Sequence, residues 1–115
     1  MLGGYCPAMR RFARVPFVLA LVGGATSLGA GVEAQFLAEN DAAMKRMMVA
    51  MDVKPSGDVD ADFVATMVPH HQGAIDMAQA ELHYGRNERL RRLAQEIIVT
   101  QQDEIAAMRL AITSR

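Results

Sequence analysis

The sequence predicts an all-α protein in which three helices form one small unit. Three observations carry that prediction. Between Phe36 and Ile112 the apolar residues recur at spacings of three and four, the period of a helix with one buried side. Breakers divide that stretch at Pro55 with Gly57 and again at Gly85, with Asn87 as a cap beyond it. No run alternates apolar and polar residues over a useful strand length. The chain has 115 residues, 51% hydrophobic and 22% charged, which is enough for one domain and unlike a disordered composition. Its net charge of -1 supplies no field for a polyanion, so no nucleic-acid partner is expected.

Ahead of the helices, Met9 to Ala34 has the pattern of a secretory signal peptide. Arg10, Arg11 and Arg14 are its basic part. Phe17 to Leu28 is apolar or small, and shorter than the ~20 residues of a spanning helix. Val32-Glu33-Ala34 offers small residues before a cleavage point. The expected organisation is a signal peptide over 1–34, with Met9 as the natural start, and a helical metal-binding domain over 35–115. The mature chain would be periplasmic or secreted and free of the membrane. The alternative is an uncleaved anchor. Cys6 precedes the apolar run, so it is not the lipidated cysteine of a lipoprotein. Cleavage after Ala34 leaves nine basic and twelve acidic residues, seven methionines, all three histidines and no cysteine. Any soft-metal chemistry then falls to thioether and imidazole.

The first helix is predicted over Phe36 to Met51, with Leu37, Met44, Met48 and Met51 at helical spacing and Met47 on the same side. The second runs from about Asp60 to Tyr84. Asp58, Asp60 and Asp62 suit its N-terminal dipole, and Phe63, Met67, His71, Ala74, Ala78 and Leu82 form its seam. Pro69 falls inside, but the apolar phase carries through it, which favours one kinked helix. Gly85 is the expected C-terminal cap. The third helix runs from about Glu88 to Ile112 with Asn87 as N-cap. Leu90, Leu93, Ala94, Ile97, Ile98, Ile105, Met108 and Ile112 are its seam, and Arg89, Arg91, Arg92, Asp103 and Arg109 read as solvated. Three helices make a small core, so pairing with a second copy is expected to cover the remaining apolar faces.

Chemistry concentrates in Met67-Val-Pro-His-His-Gln-Gly-Ala-Ile-Asp-Met77. On a helix Met67, His70, Met77 and Glu81 form one column with His71 beside it. Imidazole with thioether suits Cu(I), and imidazole alone suits Cu(II) or zinc. The two histidines point about 100° apart, so they share one site only if the kink at Pro69 turns them together. The competing reading is a hydrogen-bonded core histidine. His83 reads as a surface residue or a dipole partner. Met44, Met47, Met48 and Met51 form one stripe, either adaptable core or a set of soft donors. Gln101 and Glu104 sit on or beside the third seam, where Gln101 could hold a histidine's free ring nitrogen. No Glu-x-x-His pair, His-Glu-x-x-His, nucleophile elbow or phosphate loop occurs, so no catalysis is expected.

The run Asp62 to Ala78, with Pro69-His70-His71-Gln72-Gly73-Ala74-Ile75-Asp76-Met77-Ala78 at its centre, resembles a bacterial family of secreted domains of unknown function. Glu81 to Gly85, Leu90 to Ala94, Ile97-Ile98, Gln101, Glu104-Ile105 and Met108-Arg109 extend the resemblance over nearly all of the mature chain. The family is grouped with ferritin-like helical bundles and includes the periplasmic copper-binding protein CopM. The resemblance implies a three-helix unit of ferritin-like bundle type, exported, with copper or silver handling in at least some members. First helices in the family often carry histidine, and this one has none. Longer members carry two units and this chain carries one, which implies a homodimer.

The resulting expectation is a copper-binding protein, for Cu(I) first and for Ag(I) or Cu(II) besides, that buffers or sequesters metal. Met67, His70, His71 and Met77 are the first expected ligands. Met44, Met47, Met48, Met51 and Met108 are further thioether donors, and Glu81, Gln101 and Glu104 supporting groups. The rival is a structural or protein-interaction module with histidine and methionine in its core.

Overall fold

The computed structural model describes residues 26–114. The basic part of the expected signal peptide, the Met9 start, Cys6 and most of the leader's apolar run lie outside the described residues. Three helices follow in order: α1 over Thr26–Ala50, α2 over Val59–Tyr84 and α3 over Glu88–Thr113. No strand occurs among the described residues. The all-α fold is as the sequence predicts.

Each boundary has a local cause. Asp58 caps α2, its Oδ1 accepting from the backbone N–H of Asp60 at 3.0 Å and of Ala61 at 3.2 Å. Asn87 caps α3 in the same way, through Arg89 at 2.9 Å and Leu90 at 3.2 Å. Asp58→Ala is expected to cost about 1 kcal/mol, read as a lower urea midpoint of the helical circular dichroism. α2 runs unbroken through Pro69. Gly85 ends it, but not in the left-handed conformation expected of a glycine cap. Its φ is -70°, and its N–H reaches Glu81 O at 2.8 Å. What Gly85 supplies is room, since an added Cβ would stand 2.6 Å from that same carbonyl oxygen.

The start of α1 is a correction. The helix begins ten residues before Phe36 and crosses the expected cleavage point after Ala34. Val32, Glu33 and Ala34 are unexceptional helix residues, and no proline interrupts them.

The layout decides which faces are free. α2 packs against α1 on one side and α3 on the other, while α1 and α3 make no close backbone approach to each other. A central helix needs two buried seams. Towards α3, α2 buries Val64, His71, Ile75 and Ala78, which are met by Ala94 and Ile105. About 180° away on the helix wheel lie buried Gly73 and Ala80, with Met47 of α1 seated over Gly73. Arg46 reaches Asp76 at 3.0 Å, and His83 Nδ1 lies 2.9 Å from Glu39 Oε1, so polar pairs tie α1 to the same helix. Glu39 also hydrogen-bonds the Tyr84 phenol, which with burial and its own negative charge raises the tyrosine pKa. That tie is therefore present below the ordinary tyrosine range and lost as pH climbs through the raised value.

Two further sequence expectations need correcting. Arg91 is not simply solvated: its Nη1 donates to Leu82 O at 2.6 Å and Gly85 O at 3.1 Å, a cation on the last carbonyls of α2. The three-residue loop between α2 and α3 brings it there. The expected seams also overstate burial. Phe63, Leu90 and Leu93 are 56%, 51% and 50% exposed, because they face a side of the layer that no helix covers.

Candidate metal centre

The two adjacent histidines have different environments. Their ring centroids are 6.0 Å apart, edge to face, and they point to different sides of α2. His71 turns towards α3 and is 8% exposed, whereas His70 stands exposed on the uncovered side. Pro69, inside an unbroken helix, does not bring them to one site.

His71 Nε2 lies 2.5 Å from Glu104 Oε2, across 33 residues of sequence. Gln101 Nε2 donates to that same carboxylate oxygen at 3.3 Å. Gln101 therefore supports the glutamate and not, as the sequence expectation had it, a histidine ring. A ring N–H directed at a carboxylate places the proton on Nε2 and leaves the lone pair on Nδ1. That Nδ1 is buried and has no hydrogen-bond partner among the described residues. Leaving such a nitrogen unsatisfied costs ~1–3 kcal/mol.

An open cleft of about 390 Å³ lies beside this pair, lined by Phe63, Met67, His71, Glu104, Ala107 and Met108. It joins two thioethers, from α2 and α3, to one buried imidazole and one carboxylate. Among the described residues no three His, Cys, Asp or Glu side chains gather into a cation site. The donor set that does gather is imidazole with thioether, the combination that suits Cu(I) or Ag(I) and not a hard cation. Side-chain donors and the orphaned nitrogen thus fit a soft monovalent metal.

Of the expected ligands, then, the structure brings together Met67, His71 and Met108, with Glu104 and Gln101 behind them. Met77 and Glu81 line a separate groove with Ala74, Ala78 and residues of α3. His70 shares their side of α2 but not the cleft of His71. The methionines of α1 form no cluster with these. Met47 packs over Gly73, Met44 and Met48 are exposed, and Met51 lies at the end of the helix. Their stripe is centred away from the line along which α1 touches α2, so only Met47 enters the contact. The direct bond from Glu104 to His71 left no local trace in the sequence, because it depends on where α3 lies.

A family described as "Domain of unknown function (DUF305)" matches residues 16–112. The chain belongs to the DUF305 family. The match takes in all of α2 and nearly all of α3, and with them each residue of the cleft. The chain is also similar to "Uncharacterized protein L153" of Acanthamoeba polyphaga mimivirus, 34% identical over 56 residues. That stretch is 49% of this chain and 37% of the viral protein, so the likeness spans a little over a third of that relative. Neither description assigns an activity to a DUF305 chain.

Proposed function

We propose that this DUF305 protein is an exported soft-metal binder that holds Cu(I), or Ag(I) in its place, as cargo and performs no catalysis. The observation that supports it is the buried, unpartnered Nδ1 of His71, a residue that lines one cleft with Met67 and Met108. In this reading His71 and the two methionines hold the metal. Glu104 keeps the imidazole in the tautomer that offers Nδ1, and Gln101 steadies Glu104. Thioethers do not take up protons, so they retain affinity where imidazole alone would lose it. They also favour the reduced ion, which suits buffering or sequestration. No described helix is long and apolar enough to cross a membrane. Export rests on the leader pattern of residues 1–34, and the periplasm is the compartment it favours. The resemblance to a family that includes CopM points the same way.

A competitive Cu(I) titration of the chain as recovered from cells, in reductant and against a chromophoric chelator, tests this. Stoichiometric withdrawal of Cu(I) from the chelator is the expected result. A chain that takes no Cu(I) and no Ag(I) sinks the proposal and leaves the interaction module.

A further inference from the structure

The three helices lie in a row, which gives the layer two broad sides, one of them bearing a cluster of polar side chains. On one side the polar side chains of Arg46, Gln72, Asp76 and Arg109 share a cleft with Met47, Val68, Pro69 and two alanines. On the other, α2 presents Phe63, Met67, His70, Ala74, Met77 and Glu81, and α3 adds exposed Leu90 and Leu93 to the same groove. Glu39 and Arg46 of α1 reach towards the polar side, so by helical phase Asn40, Met44 and Met51 continue the apolar one. Among the described residues the buried hydrophobic side chains are no larger than isoleucine, and no large side chain is fully buried.

We propose that a second copy of this chain covers the apolar side about a two-fold axis at Ala74, so that His70 of each copy stands against the partner's Met77. A second metal position, separate from the cleft of His71, then belongs to the dimer, and neither copy completes it alone. The inference rests on the soft-metal reading for the metal but not for the dimer.

Three features of this side single out a second copy. The first is area. Three helices ~10 Å wide and about 39 Å long offer roughly 1,000 Å² per copy, above the ~800 Å² per partner of a stable interface. The second is internal symmetry. Met67 and Glu81 stand seven residues either side of Ala74, and His70 and Met77 stand four and three, so reversing the column about Ala74 sets Met67 on Glu81 and His70 within one residue of Met77. An isologous interface needs that reciprocity. The third is charge. Parallel pairing would set Glu81 against the partner's Glu81, whereas reversal holds the two carboxylates about 21 Å apart along the axis, beyond the ~8 Å screening length. Ala74 sits where the helices cross and is small enough for close approach. With axes ~8–10 Å apart and Cα atoms ~2.3 Å from each axis, the two Ala74 Cα atoms come within about 3.4–5.4 Å, overlapping disulfide range at its upper end.

The test needs no metal at first. In a chain carrying Cys6→Ser, Ala74→Cys is compared with Gln79→Cys, which is exposed on the polar side of α2, two turns beyond Gln72. Mild oxidation should link Ala74→Cys into a covalent dimer at least ~10-fold faster than Gln79→Cys, as a preformed pair raises effective concentration. The Cys6→Ser parent should sediment as a dimer, and Leu93→Lys should shift it to monomer with helicity unchanged. Silver or Cu(I) bound per chain should then fall by the same amount in His70→Ala and in Met77→Leu, with the dimer intact. A monomeric parent, or equal crosslinking at the two positions, overturns the dimer. A dimer whose metal content ignores both variants overturns the shared site. Failure of the His71 site is seen separately, because His71→Ala removes a different metal equivalent and leaves the crosslink unchanged.

Discussion

His71→Ala is expected to weaken Cu(I) binding at the buried site by more than ~100-fold, since loss of a supporting residue alone typically costs 10–100-fold. Glu104→Gln should fall in that lower range, because the ring loses its charged orienting partner but keeps both methionines. Met67→Leu and Met108→Leu conserve volume and so should leave the fold in place while each lowers affinity. His70→Ala should leave this site unchanged, which separates it from its neighbour. The rival structural reading makes the opposite prediction in the metal-free chain. A histidine kept for stability would make His71→Leu destabilising. A histidine kept as a ligand holds an unsatisfied buried nitrogen, and its removal is neutral or stabilising by up to ~1–3 kcal/mol. Glu104 is half exposed and can return to water when the ring is gone. Chelator competition and urea unfolding of His71→Leu therefore read the two roles independently. A variant that binds Cu(I) as the parent does, or that loses binding only through His70, defeats the assignment.

Much of the fold is legible in the sequence because its causes are local. Asp58 and Asn87 sit immediately before runs of helical period, and each caps the helix it precedes. The first helix is less legible at its start, because Val32 to Ala34 serve equally as a leader's end and as helix. The seams are legible in period but not in number. A single stripe is the mark of a helix with one buried side, and α2 has two. Its second seam is made of Gly73 and Ala80, residues too small to register as a hydrophobic signal. That seam places α1 opposite α3 and leaves Phe63, Leu90 and Leu93 in the open. At the site, the spacing shows that His70 and His71 diverge, but not which of them is buried. That choice depends on Glu104, 33 residues away, and no local pattern encodes it. Met108 follows for the same reason, since it meets Met67 only because α3 returns antiparallel through a short loop.

The same small-residue seam carries the largest expected effect on stability. Met47 lies directly over Gly73, and a Cβ added there would stand 2.5 Å from its Sδ and 2.9 Å from its Cβ. The sulfur could swing aside, but the Met47 Cβ moves only with the backbone of α1. In an exposed helix a change from glycine to alanine would gain about 1 kcal/mol through backbone entropy. Here overpacking costs ~1–3 kcal/mol against that gain, so Gly73→Ala should be neutral to destabilising by up to about 2 kcal/mol. Gly73→Leu leaves no room for Met47 at all and should release α1 from α2, while α2 and α3 remain paired through Ile75, Ala94 and Ile105. Against a total stability of ~5–15 kcal/mol, these are large fractions. The diagnostic is reciprocity. Met47→Ala should rescue Gly73→Ala in a double-mutant cycle followed by urea unfolding, with an interaction energy of ~0.5–3 kcal/mol. Effects that simply add would mean that Met47 and Gly73 are not in contact, and that something other than their close approach docks the first helix.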